Sequence, residues 1–362
     1  MAGVVVELFK RAARARQVLP LFVACAVTWC ASLPAQAEVR GAGATFPAKV
    51  YQRWGLRYAE MTGDVVRYQA TGSGQGVSQI VARAVDFGAT DVPLSADELQ
   101  QRKLVQIPML VGGIVPVVNL PSVGPNKLLL SGEVLADIML GVITQWDDRR
   151  IAEFNPRVPL PALRIVRVVR ADKSGSSEGF ARYLSALSPS FKQRVVASTL
   201  PAWPGEVSKA EGNDGVVRML KLTEGGIAYV SHDRVLKDGL AAVRLRNAAG
   251  REVAASEAGF RAAIQDSELA RSGDDRASLM NTSAPEAWPI TLTSFILVDR
   301  EPADAMRATP VLQFVYWCFM HGDELTRGTG FAPLPVRLQA RLASRLSEVR
   351  AKDGRVPRYA SY

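Results

Sequence analysis

The chain has 362 residues, 48% of them apolar and 22% charged, with a net charge of +9. Such values exclude a collagen-like repeat and a wholly disordered chain and fit a globular protein. On length alone about two domains are expected.

The N-terminus stands apart from the rest. Lys10, Arg11, Arg14 and Arg16 precede an apolar run from Val18 to Leu33, and Pro34-Ala35-Gln36-Ala37 follows as an A-x-A pattern. This layout predicts a secretory signal peptide over residues 1–37, cleaved after Ala37. A membrane anchor is disfavoured, because the run is too short to span a bilayer and holds Pro20, Thr28 and Ser32. A lipid-anchored start at Cys25 would follow Phe22-Val23-Ala24, a poor lipobox. Removal of the segment leaves 40 basic and 34 acidic residues, a net charge of +6, and one cysteine, Cys318. An exported chain without an internal disulfide must rely on its core, and about 325 residues make that core ample.

Beyond the signal, strand and helix patterns alternate in an α/β rhythm. Gly41 to Pro47 reads as a loop, and Val50, Tyr51, Trp54 and Tyr58 follow on one helical face. Val65 to Ala70 reads as a strand, Thr71 to Gly76 as a loop, and Val77 to Val85 as a helix. Two continuous apolar strands, Met109 to Val118 and Thr291 to Val298, could each carry the chain between domains. Leu163 to Val169 reads as a strand, and Phe180, Tyr183, Leu184 and Leu187 share a helical face. Between them lies Arg170-Ala-Asp-Lys-Ser-Gly-Ser-Ser-Glu-Gly179, a hydroxyl-rich loop opening a helix with an arginine at its mouth. Helix starts leave N–H groups unpaired and partially positive, so such a loop suits an anion.

Three loops share this description: Gly41–Pro47, Gly72–Gly76 and Lys173–Ser177. One alone is more often only a turn needing glycine. Three together with Arg170 point to one small oxyanion. None fits a nucleotide motif: Gly41-Ala-Gly-Ala-Thr-Phe lacks a third glycine, and no G-x-x-x-x-G-K occurs. A basic stripe of Arg337, Arg341 and Arg345 lies opposite Leu338, Leu342 and Leu346. It reads as a solvated helix face. With no aromatic platforms beside it, nucleic acid is not expected as a partner.

Gly175-Ser176-Ser177-Glu178-Gly179 also matches G-x-S-x-G, the nucleophile elbow of serine hydrolases. A triad needs a histidine, and only His232 and His321 exist. His232 reads as a strand-end residue and His321 as a helix-end residue, neither with a recognisable partner. A hydrolase is therefore the weak alternative, and neither a metal nor any cofactor is implied.

Several stretches together resemble the periplasmic phosphate-binding protein family of ABC-type phosphate importers. They are G-A-G-A-T-F-P at 41–47, Y-Q-A-T-G-S-G at 68–74, V-D-F-G-A-T-D at 85–91 and V-V-R-A-D-K-S-G-S-S at 168–177. G-N-D-G at 212–215 and E-A-W-P-I-T at 286–291 complete the set, in family order across nearly all of the mature chain. The resemblance implies an α/β, type II-like, two-lobed clamp of the Venus-flytrap kind, with the ligand cleft between the lobes. It places lobe 1 at residues 38–110 and 286–362 and lobe 2 at 111–285, with crossings near 108–118 and 284–292. It implies that Thr45, the Phe46 N–H, Ser73 and Asp91 bind phosphate from the first lobe. Arg170, Ser174, Gly175 and Ser176 bind from the second, with Asp172 orienting Arg170. The implied protein is a periplasmic, monomeric, non-enzymatic carrier that delivers inorganic phosphate to the transmembrane subunits of an ABC importer.

Read as residues, Asp91 has a plain alternative as a turn carboxylate. In a phosphate site it would accept a hydrogen bond from the P–OH that sulfate lacks, and so reject sulfate. Arsenate keeps a proton and would pass the same test. Binding proteins for arsenate, sulfate or molybdate, and a sensor or adhesion paralogue with the same site, are the other readings. Two departures from the family pattern stand out: Gly74 where a second serine occurs in some members, and Lys173 where glycine is common. Ser176 replaces a frequent threonine and keeps the hydroxyl.

Overall fold

A computed structural model describes residues 37–360, so the predicted signal segment, Ala37 apart, lies outside the described residues. The elements that position the site run in chain order: β1 (Glu38–Gly43), α1 (Ala48–Thr62), β2 (Val65–Ala70), α2 (Ser73–Val81), β3 (Phe87–Thr90) and β4 (Leu104–Asn119). There follow β5 (Val166–Arg170), α3 (Gly175–Leu187), β6 (Ser208–Ala210), α4 (Gly212–Lys221), β7 (Gly226–Ser231) and α5 (His232–Asp238). The chain then returns through β8 (Thr291–Asp299), α6 (Ala305–Thr326) and β9 (Phe331–Pro333).

The main sheet has the strand order β2-β1-β3-β8-β4-β7-β5-β6, with β9 beside β4. β1, β2 and β3 are parallel to one another, as are β5, β6 and β7. β4 joins the two halves. Its residues Leu104–Gly113 pair antiparallel with β8, and Ile114–Asn119 pair antiparallel with β7. β4 is thus the long apolar strand that pairs with both halves of the sheet, while β8 pairs with β3 and the first part of β4. In open α/β sheets ligands collect outside the carboxyl ends of parallel strands. Here those ends are Gly43, Ala70 and Thr90 in one lobe and Arg170 and Ala210 in the other.

The local reasons are visible in the sequence. Val50, Tyr51, Trp54 and Tyr58 fall on one face of α1, and all four are buried against the sheet and α6. Each such burial is worth about 1.5–3 kcal/mol. Gly63, at φ 85°, ends α1 in the left-handed conformation that favours glycine. At the crossing, Gly112 and Gly113 leave room for rings. A Cβ on Gly112 would meet Phe331 at 2.5 Å, and one on Gly113 would meet Phe260 at 2.3 Å.

Several sequence expectations shift. The strand expected over 163–169 runs from Val166 to Arg170, because Arg164 and Ile165 pair with Gln145 and Thr144 instead. The helix expected over 77–85 is α2, Ser73–Val81, and Arg83 follows it at φ 56°. The supposed Gly72–Gly76 loop is thus largely the first turn of α2. Gly76 serves close packing, since a Cβ there would lie 2.4 Å from the Ala89 carbonyl. Likewise Gly41–Gly43 belongs to β1, and the loop shrinks to Ala44–Pro47.

The arginine stripe near the C-terminus is not a purely solvated face. Arg345 is ion-paired with Asp275, and Arg341 donates to the Leu269 carbonyl at 3.2 Å. His321 is not at a helix end, since α6 continues to Thr326. Among the described residues no helix is long and apolar enough to cross a membrane. Cys318 is free and buried, and burial raises its thiol pKa well above the ordinary value.

Candidate functional site

The strand ends of both lobes bring the predicted residues into two linked clusters. The first is built on Ser73, the opening residue of α2. Its hydroxyl accepts the N–H of Asp91 at 3.2 Å and the N–H of Gly175 at 3.2 Å, and donates to Asp91 Oδ2 at 3.4 Å. One hydroxyl has one proton and two lone pairs, so Ser73 is fully engaged in tying the lobes together.

The second cluster is built on Arg170, at the end of β5. Asp172 takes its Nε at 2.7 Å and its Nη2 at 2.5 Å. Nη2 also reaches across the cleft to Thr45 Oγ1 at 3.0 Å, which further accepts Asn213 Nδ2 at 3.3 Å. Asp172 is fixed in turn by the Gly212 N–H at 2.9 Å. Burial pushes the Asp172 carboxyl up, but hydrogen bonds from Arg170 and its charge outweigh this and hold it below the ordinary value.

The helix starts supply further donors. Ser174 caps α3 by accepting the Ser177 N–H at 3.2 Å, which leaves its hydroxyl proton to donate elsewhere. The Ser176 hydroxyl is buried and has no partner within the protein, and the same holds for Arg170 Nη1, Asp91 Oδ1 and Asn213 Oδ1. Buried polar groups are seldom left unpaired, so four in one cleft mark a place built to hold something polar. Asp91, Arg170, Ser73, Ser174 and Ser176 are each at most 5% exposed. The cleft is therefore closed over them, and interactions inside it are little screened.

Asp91 is the acidic member. Burial raises its pKa to about 7, opposed by a hydrogen bond from Ser294, the charge of Arg170 and a bond from Ser73. The carboxyl is thus poised to give or take a proton near neutrality. The donors around it suit an anion, with which Asp91 can share a proton.

Of the expected residues, Thr45, Arg170 and Asp172 meet in one cluster and Ser73, Asp91 and Gly175 in the other, with Ser174 and Ser176 buried at the start of α3. Phe46 is held by its ring, which meets Phe331 edge-on at 4.9 Å. Gly175 directs its N–H to Ser73, and Ser73 is a bridge as much as a donor. Asn213 was missed, although G-N-D-G was noticed; its position at the start of α4 was the available signal. Ser294 and Tyr229 were also missed. The Tyr229 hydroxyl pairs with Ser177 at 2.7 Å and accepts the backbone N–H of Arg170 at 3.5 Å, so it ties the end of β5 to the start of α3. In the nucleophile-elbow reading the serine is Ser177, whose hydroxyl is paired with Tyr229 at 2.7 Å, while His232 lies edge-on to Phe260.

The PBP superfamily domain matches residues 31–320. The chain is 39% identical over 301 residues to the phosphate-binding protein PstS of Xylella fastidiosa, covering 83% of this chain and 82% of that one. It is 38% identical over 308 residues to PstS of Haemophilus influenzae, covering 85% and 92%. Among solved structures, a high-affinity periplasmic phosphate-binding protein with bound phosphate superposes with a TM-score of 0.66 at 22% identity, covering 85% and 93%. This last likeness concerns the fold.

Proposed function

This chain belongs to the PBP superfamily and, within it, to the PstS phosphate-binding proteins, and from that premise we propose that it captures inorganic phosphate between its lobes for an ABC importer. One observation carries the reading: buried Arg170, Ser176, Asn213 and Asp91 each direct an unpartnered polar atom from the walls of a single closed cleft. Two of them, Arg170 Nη1 and the Ser176 hydroxyl, are donors suited to an anion's oxygens, while Asn213 Oδ1 is an acceptor suited to a protonated one. The fourth, a carboxyl raised by burial to about 7, suits an anion that keeps a proton.

In this reading Arg170 supplies charge and a fork, held in place by Asp172. Ser174 and Ser176 donate hydroxyls, and Thr45 turns its remaining proton inward. The N–H groups of Phe46 and Ser176 complete the cage, as helix starts do for anions, since the Gly175 N–H is taken by Ser73. Ser73 spans the lobes beside Asp91. We place the lobe boundaries at 38–110, 111–285 and 286–362, where β4 leaves β8 for β7 and where Ile114 donates to the Ile290 carbonyl at 2.9 Å. Opening about these crossings would admit phosphate, and closing would replace its water shell.

The pattern of residues 1–37 supports export to the periplasm with cleavage after Ala37. No covalent chemistry is required of any residue, and the carrier acts as a monomer that hands phosphate to the transmembrane subunits. Titration calorimetry of the anion-stripped protein with phosphate tests the reading: one phosphate per chain is expected, and no heat would refute it.

A further inference from the structure

We propose that Lys173 and Gly74 form a clasp across the cleft that sets how long the closed, loaded state lasts; this rests on the capture of phosphate between the lobes. Gly74 lies in the first turn of α2 and Lys173 in the turn between β5 and α3, on opposite sides of the cleft. The Gly74 N–H donates to the Lys173 carbonyl at 3.2 Å. A Cβ added to Gly74 would sit 2.7 Å from Lys173 Cβ and 2.9 Å from its Cδ. The aliphatic stem of the lysine therefore lies flat upon the glycine. Gly72 faces the same turn, where a Cβ would meet the Lys173 carbonyl at 2.8 Å and Asp172 Oδ2 at 2.9 Å.

Glycine at 74 is not needed for the backbone. Its φ is not in the positive range, unlike that of Gly72 at 93°, and a helix prefers alanine to glycine at such a position. What the missing Cβ provides is room for the lysine stem. The Cβ of Lys173 is close to its own backbone, so it cannot swing aside as a side-chain tip could. Lys173 itself is exposed and forms no ion pair among the described residues. Its stem thus covers the seam while its ammonium stays in water. This contact joins two walls of the cleft, so it favours the closed state over the open one. Gly74 and Lys173 are therefore one another's partners, a small residue on one wall matched to a long one on the other.

The test is a double-mutant cycle read as the rate of phosphate release, with rapid mixing of loaded protein against a phosphate trap. Gly74→Ala should speed release at least tenfold in the parent but less than twofold in a Lys173→Gly background. Lys173→Gly alone should also speed release, whereas Lys173→Met, which keeps the stem without the charge, should match the parent. The ligand-free melting temperature of Gly74→Ala should not fall, which separates loss of the clasp from loss of the fold. Equal acceleration by Gly74→Ala in both backgrounds, or none in either, would overturn the clasp while leaving phosphate capture intact. A parent protein that takes up no phosphate would overturn both.

Discussion

The guanidinium of Arg170 is gripped by the carboxylate of Asp172, through Nε at 2.7 Å and Nη2 at 2.5 Å, so that Nη1 alone is left without a protein partner. The pair fixes the plane of the fork before any anion arrives. Asp172 is partly buried and does not need to touch the ligand to matter. Replacing it with alanine should weaken phosphate binding about 10–100-fold through loss of orientation, the scale typical of a supporting partner. The check is calorimetry on Asp172→Ala and Asp172→Glu. Equal affinity in Asp172→Ala and the parent would show that Arg170 is held well enough without it.

Arg170 itself should matter more than any hydroxyl. Removing it takes away the charge-assisted fork and leaves Asp172 beside the anion, a change of about 3–5 kcal/mol. Removing the Ser176 hydroxyl deletes one neutral donor, about 1 kcal/mol. Arg170→Ala should therefore abolish measurable phosphate binding under conditions where Ser176→Ala loses roughly fivefold. Equal losses in side-by-side titrations would contradict that order.

The pH dependence of stability has a definite sign. Folding raises Asp91 from its ordinary 3.8 to about 7 by burial. The folded protein thus holds a proton that the unfolded chain releases between those values. The stabilisation from this group is complete below about pH 4 and is lost as pH rises through about 7, amounting to a few kcal/mol. Urea unfolding of the ligand-free protein at pH 5 and pH 8 should show the parent losing more stability than Asp91→Asn over that interval. Parallel losses in the two proteins would mean that Asp91 is not the group responsible.

Much of this site was legible because its signals are local. Ser174 caps α3 within its own turn, and Arg170 ends a strand whose apolar residues announce it. Asp172 lies two residues from the arginine it holds. What was hidden depends on chain segments that meet only after folding. Asn213 is 168 residues from Thr45, and Ser294 comes beside Asp91 from β8, the strand paired with β3. Tyr229 looked like an ordinary strand residue, and only packing aims its hydroxyl at Ser177. The glycines after Thr71 suggested a loop, yet Gly76 is required because α2 rests directly on β1 and β3. In the same way, the arginines near the C-terminus looked solvated until Asp275 and Leu269 came to meet them.

Asp91 also predicts a switch in selectivity. Ionised, it faces an unprotonated oxygen with a lone pair opposed to a lone pair. Amide replacement removes that repulsion. Asp91→Asn should keep phosphate binding within about tenfold and raise sulfate affinity by 10²-fold or more, within the span that buried polar partners give. Competition of sulfate against bound phosphate at pH 8 reads both effects. Continued exclusion of sulfate by the variant would assign its rejection to something other than this carboxyl.

The most direct measurement is calorimetric titration of the stripped, mature protein at pH 8, first with phosphate and then with sulfate in the same buffer. The site described here predicts tight one-to-one binding of phosphate and no heat from sulfate. Sulfate bound as tightly as phosphate, or neither anion bound, would contradict it.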